Sequence, residues 1–202
     1  MVTFLDRLSK EKVVGADDYQ TDAIVRFGDL LAALKSGSVA VSAANRDHAI
    51  TACLGILENF ARQITKSKKG EVSVSLILYM GNSTTKMKIR HRNPGNQRPL
   101  NREFDGTGIL GHHACVNGAR PRVVHNVKEF GAKGVASPTQ SKMNYKSIFI
   151  IPLEVEDYNN KGKIVRGFVS IDCVTPYAFY GNRSSEIVVT CEPIVNHLRE
   201  LI

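Results

Sequence analysis

Hydrophobic positions along the chain change period several times, and each change marks an element. Ile24, Phe27, Leu30, Leu31 and Leu34 recur at helical spacing, predicting an amphipathic helix over residues 18–35 that Ser36-Gly37-Ser38 ends. A shorter pattern, Phe4, Leu5 and Leu8, precedes it. Ile50, Cys53, Leu54, Leu57, Phe60, Ala61 and Ile64 line one face of a second helix, capped at Asn45 or Asp47 and running to Lys66. The period then becomes two. Val72, Val74, Leu76, Leu78 and Met80 form an apolar face of a strand, and Ser73, Ser75, Ile77 and Tyr79 a mixed one.

Thr84 to Arg92 reads as the hairpin partner of that strand and as a sheet edge, with Met87 and Ile89 alternating with Lys86, Lys88 and Arg90. The Pro, Gly and Asn of residues 93–99 predict a loop. A short helix follows Thr107 and closes at Gly118, and residues 120–127 form a short strand. Residues 128–146 form a long loop with one helical turn. Ser147 to Leu153 carries large apolar groups on both faces, so both are covered. Across a polar turn at 156–162, Val165, Gly167, Val169, Ile171 and Cys173 face one way, and Arg166, Phe168, Ser170 and Asp172 the other. In the last helix, residues 182–202, the seam Ile187, Cys191, Ile194, Leu198 and Leu201 predicts close packing, with a kink at Pro193.

With 43% apolar and 23% charged residues over 202 positions, the chain can bury a core without staples. No apolar run reaches the ~18 residues of a membrane span, and residues 1–7 lack the pattern of a secretion signal, so a cytoplasmic protein is expected. Cys53, Cys115, Cys173 and Cys191 are scattered and read as reduced, buried thiols. The net charge of +8 is concentrated: between Arg62 and Arg102 stand ten cations and one acid, Glu71. Lys86, Lys88, Arg90, Arg92 and Arg98 therefore form a candidate contact for nucleic acid or another anionic partner. No aromatics interleave with them, which favours a solvated lysine-guarded edge over a base-stacking surface.

Three pieces in order resemble a GAF domain. They are Gly106-Thr107-Gly108-Ile109-Leu110-Gly111 through Gly118-Ala119-Arg120-Pro121 to His125-Asn126-Val127; Ser147 to Pro152-Leu153; and Gly167-Phe168-Val169-Ser170-Ile171-Asp172 with Pro176-Tyr177-Ala178-Phe179. The resemblance covers residues 45–202 and leaves 1–44 as an N-terminal helical extension. It implies an α+β, profilin-like fold: a central antiparallel sheet, terminal helices on one face, and a pocket under a short helix and loop on the other. It further implies a regulatory, small-molecule-sensing role in signal transduction more often than catalysis, and a homodimer through the terminal helices acting on an effector domain or partner protein.

The resemblance leaves ligand and cofactor unnamed. The cyclic-nucleotide subgroup's Asn-Lys-x-x-x-Phe-x-x-x-Asp-Glu pattern is absent, and His113 precedes Cys115 where bilin carriers place histidine after cysteine. Free methionine sulfoxide reductases, an enzyme subgroup, use closely placed redox cysteines, and Cys115 with Cys173 would have to supply them. The candidate ligand-binding residues are Ser73, Ser75, Tyr79, Ile109, His112, His113, Cys115, Tyr145, Phe168, Ser170 and Asp172. Their mix of apolar walls and hydroxyls suits an orienting pocket, unless Phe168 and Tyr79 fill it. His112, His113 and Cys115 are too few to hold a metal, since adjacent histidines on a helix point about 100° apart. A Cys115, His125, Asp172 nucleophilic triad has no supporting motif, and Asp172 reads instead as a strand-end residue bonded to backbone at the next turn.

Overall fold

The computed structural model describes residues 42–81, 83–100, 103–130, 145–157 and 162–202. The expected helices before residue 42 lie outside them. Helix α1, Ala43–Thr65, starts earlier than expected because Ser42 Oγ caps it, accepting from Asn45 N–H at 3.2 Å. Lys66 ends it in the left-handed region at φ 57°.

Six strands follow: β1 (Val72–Tyr79), β2 (Lys86–Arg92), β3 (Glu103–Asp105), β4 (Arg122–Val124), β5 (Ser147–Asp157) and β6 (Gly162–Cys173). Helix α2 (Leu110–Val116) precedes β4, the single turn α3 (Val127–Phe130) follows it, and α4 (Arg183–Leu201) closes the chain. All pairings are antiparallel, in the order β3-β2-β1-β6-β5-β4. The edge at that side is β3, not β2. So short a strand has no readable period in the sequence, yet its three residues cover β2 where Met87 is fully buried.

One face carries the main core. Ile50, Leu54 and Leu57 of α1 and Ile187, Cys191 and Leu198 of α4 pack on Val74 and Leu76, on Phe149, Ile151 and Leu153, and on Val169 and Ile171. The seam of α4 is therefore as expected, and the helix runs on through Pro193. Among the described residues, no helix is long and apolar enough to cross a membrane.

The other face carries a smaller core of Ile77, Met87, Ala114, Cys115, Ile148, Ile150 and Phe168. Two irregularities decide which residues join it. In β2, Leu76 pairs with His91 but Ile77 with Ile89, so Arg90 is an extra residue. In β6, Leu153 pairs with Gly167 but Glu154 with Val165, so Arg166 is extra. Val165 consequently packs on the smaller core, opposite to the simple alternation, and Arg166 is exposed. Gly167 is required there, because a Cβ would come within 2.1 Å of Ile77 O.

Candidate functional site

The smaller face is a grid whose polarity changes along the strands. Ser73 of β1 stands opposite Asp172 of β6, Ser75 opposite Ser170, and Ile77 opposite Phe168. On β2, Arg92 lies opposite Ser75 and Met87 opposite Tyr79. On β5, Ile148 and Ile150 flank Asp172 and Ser170. The floor is thus polar at one end, apolar in the middle and polar again at Tyr79.

The middle is filled. Phe168 is 3% exposed and lies against α2, where a Cβ on Gly111 would meet its ring at 2.0 Å. Ile109 and Tyr145 pack around the same core. Beside it, Tyr79 Oη and His112 Nδ1 are 2.8 Å apart, and the Cys115 thiol donates to Gly167 O at 3.4 Å. Burial, and then the charge of a Cys115 thiolate, pushes the Tyr79 phenol well up, so it stays protonated. Burial pulls His112 down, with His113 adding to the effect and Asp105 opposing it. His112 is buried and His113 exposed, as the helical angle between them requires.

The polar end is organised by a loop from β2. Asn93 holds it in place by two bonds to Val74: its N–H donates to Val74 O and its Oδ1 accepts from Val74 N–H, each at 2.9 Å. Asn96 Nδ2 then donates to Ser73 Oγ at 2.6 Å, and Arg98 Nη2 donates to the same oxygen. Arg98 Nη2 also reaches Asp172 Oδ2 at 3.2 Å, and Ser170 Oγ donates to Asp172 Oδ1 at 2.6 Å. Arg92 Nη1 donates to Ser75 Oγ at 2.7 Å, and Arg98 Cζ lies 5.8 Å over the Tyr145 ring. Asp172 is therefore a buried carboxylate held by side chains, not the backbone-bonded strand end expected from sequence.

Ten of the eleven sequence candidates thus fall into two groups, Ser73, Ser75, Tyr145, Ser170 and Asp172 at one end and Tyr79, Ile109, His112, Cys115 and Phe168 at the other, while His113 is exposed outside both. Arg92, Arg98 and Asn96 complete the first group. The sequence places the two arginines on a basic strip, which the structure divides. Lys88, opposite Leu78, points to the helix face and pairs with Glu103 at 3.4 Å; Lys86 and Arg90 are exposed; Arg92 is turned by the bulge onto the Ser75 side.

Other combinations separate. Cys173 belongs to the core under the helices and Cys115 to the core on the opposite face, so they are not a redox pair. Cys115, His125 and Asp172 have different partners, His125 stacking on Tyr177 with centroids 6.4 Å apart. Among the described residues, no three His, Cys, Asp or Glu are grouped to hold a metal ion.

With this geometry in place, the fold is GAF-like. The chain is similar to the GAF domain of the phosphoenolpyruvate-protein phosphotransferase of Acinetobacter, at 11% identity over 87% of this chain and 93% of that one, with a TM-score of 0.50. It is also similar to the chromophore-binding domain of an unusual bacteriophytochrome from R. palustris, at 16% identity, 86% and 59% coverage and a TM-score of 0.52. A far-red cyanobacteriochrome photoreceptor matches at 13% identity, 74% and 87% coverage and a TM-score of 0.51. At such identities the likeness is one of fold. No family model matches the sequence, and no curated protein does.

Proposed function

We propose that this chain is a small-molecule-sensing regulatory domain, without catalytic activity, whose ligand sits on the sheet face opposite α1 and α4. The observation that carries this reading is the polar end of that face. Ser73, Ser75, Ser170 and the buried Asp172 converge there with Arg98, which lies over the Tyr145 ring, next to a middle already closed by Phe168. A few placed polar groups beside apolar walls suit an orienting site. The non-catalytic part is supported by Cys115, whose thiol is pushed up to about 12, first by burial, and bonded to a backbone carbonyl.

The residues before Ser42, which caps α1, are assigned to an extension outside this domain, three residues short of the boundary expected from sequence. Two copies pair through the terminal helices. The signal passes through those helices to an effector domain or partner protein. Thermal shift against a panel of nucleosides, nucleotides and metabolites tests the sensor, with a rise in melting temperature expected for at least one compound. No shift at millimolar concentration would sink it. Light scattering that shows a monomer at high concentration would remove the pairing.

A further inference from the structure

We propose that Arg92 and Arg98 form a subsite for the oxyanion, carboxylate or phosphate, of a small organic ligand. This deepens the sensor reading and rests on it. The two forks sit over neighbouring positions of β1, Arg92 on Ser75 and Arg98 on Ser73, and one carboxylate, Asp172, meets Arg98. The group carries one positive charge more than it neutralises. Asp172 bonds Arg98 at 3.2 Å and acts on Arg92 only through space, so among the described residues the second guanidinium has no carboxylate in contact.

The hydroxyls point to the same chemistry. Ser73 Oγ accepts from both Asn96 and Arg98, and Ser75 Oγ accepts from Arg92, so each serine keeps its own O–H to give away. Arg92 uses Nε on Pro99 O at 3.4 Å and Nη1 on Ser75, and Arg98 uses Nη2. A guanidinium has five N–H donors, so both forks retain donors without a partner among the described residues. Two forks and two hydroxyls with protons to donate, beside one carboxylate already bonded by Arg98 and Ser170, suit an incoming acceptor oxygen. The electrostatics agree. Arg92 is held down at about 10, first by burial and then by the charge of Arg98, which an anion between them would relieve.

The test is titration of the full ¹⁵N-labelled chain with sodium phosphate and, separately, with succinate, sodium chloride holding ionic strength constant. Saturable shifts of the Ser73, Ser75, Asn96 and Arg98 amides and of the arginine Nε–H signals are expected with at least one probe, and the preferred probe tells phosphate from carboxylate. Arg92→Gln and Arg98→Gln should each weaken binding about tenfold, Arg92→Lys should keep the charge but lose the fork, and Lys86→Gln should change nothing. If Arg98→Gln does not give a dispersed spectrum, Arg92→Gln and Arg92→Lys decide. No saturable shift with either anion overturns the subsite, and so does equal weakening by Lys86→Gln. A thermal shift with uncharged nucleosides but no anion response would leave the sensor reading standing and remove the subsite alone.

Discussion

The Phe168 ring occupies the space into which any side chain on Gly111 would project, so a Cβ there would lie 2.0 Å from Phe168 Cζ. In an exposed helix, replacing glycine by alanine gains about 1 kcal/mol. Here α2 lies against the sheet, and the gain should reverse. Gly111→Ala is expected to destabilise by about 1–3 kcal/mol in urea unfolding, the usual cost of overpacking. Gly111→Ala with Phe168→Leu should recover part of that loss. A neutral or stabilising single substitution would mean that α2 does not sit on Phe168.

Arg98 and Asp172 are 74 residues apart in sequence and joined at 3.2 Å, with the carboxylate side chain 8% exposed and the guanidinium 39%. Removing Arg98 leaves a buried carboxylate with Ser170 as its remaining side-chain donor among the described residues. The full cost of breaking a buried pair is discounted because Arg98 is partly solvated, so Arg98→Gln should cost about 1–2 kcal/mol. Asp172→Asn in the same chain should return a part of it. A double-mutant cycle with no coupling would show that the pair does not hold the loop to the sheet.

These two relationships show what could be read from sequence and what could not. The period of two over Val72 to Leu78 and the seam from Ile187 to Leu198 report directly which side is buried, and the main core is legible from them; the smaller core, expected as a pocket floor, is not. Arg90 and Arg166 were not legible as extra residues. A bulge reverses the alternation between the residues on its two sides, and that turns Arg92 toward Ser75 and Val165 toward the smaller core. The loop bonds from Asn96 and Arg98 to Ser73 join positions with no local signal, so the serines were visible as candidates and their partners were not.

Acid should weaken the fold through two histidines. Burial lowers His112, helped by His113, and burial lowers His91 against the pull of Asp47. With a folded pKa below the unfolded one, the unfolded chain binds more protons in acid. The stabilisation is therefore fully present above about 6.5, the ordinary histidine value, and is lost as pH falls toward the folded values. Unfolding free energy measured from pH 7.5 to 5.5 should decline, and less steeply in His112→Gln. An identical slope in that variant would remove His112 as a contributor.

All four cysteines are buried, and burial pushes the thiols of Cys53, Cys115 and Cys191 up to about 12. At pH 8 the thiolate fraction of such a group is of order one in ten thousand, and the remaining protein must open to admit a reagent. Native protein should therefore react with an aromatic disulfide reagent only at the rate of local or global opening, whereas denatured protein should react at once at all four positions. The same measurement bears on the enzyme alternative. A sulfoxide-reducing thiol must be a ready nucleophile, so rapid native labelling of Cys115, lost in Cys115→Ser, would contradict the inert thiol described here and reopen that chemistry. Slow labelling, with methionine sulfoxide left unreduced by the wild-type chain, is the expected result.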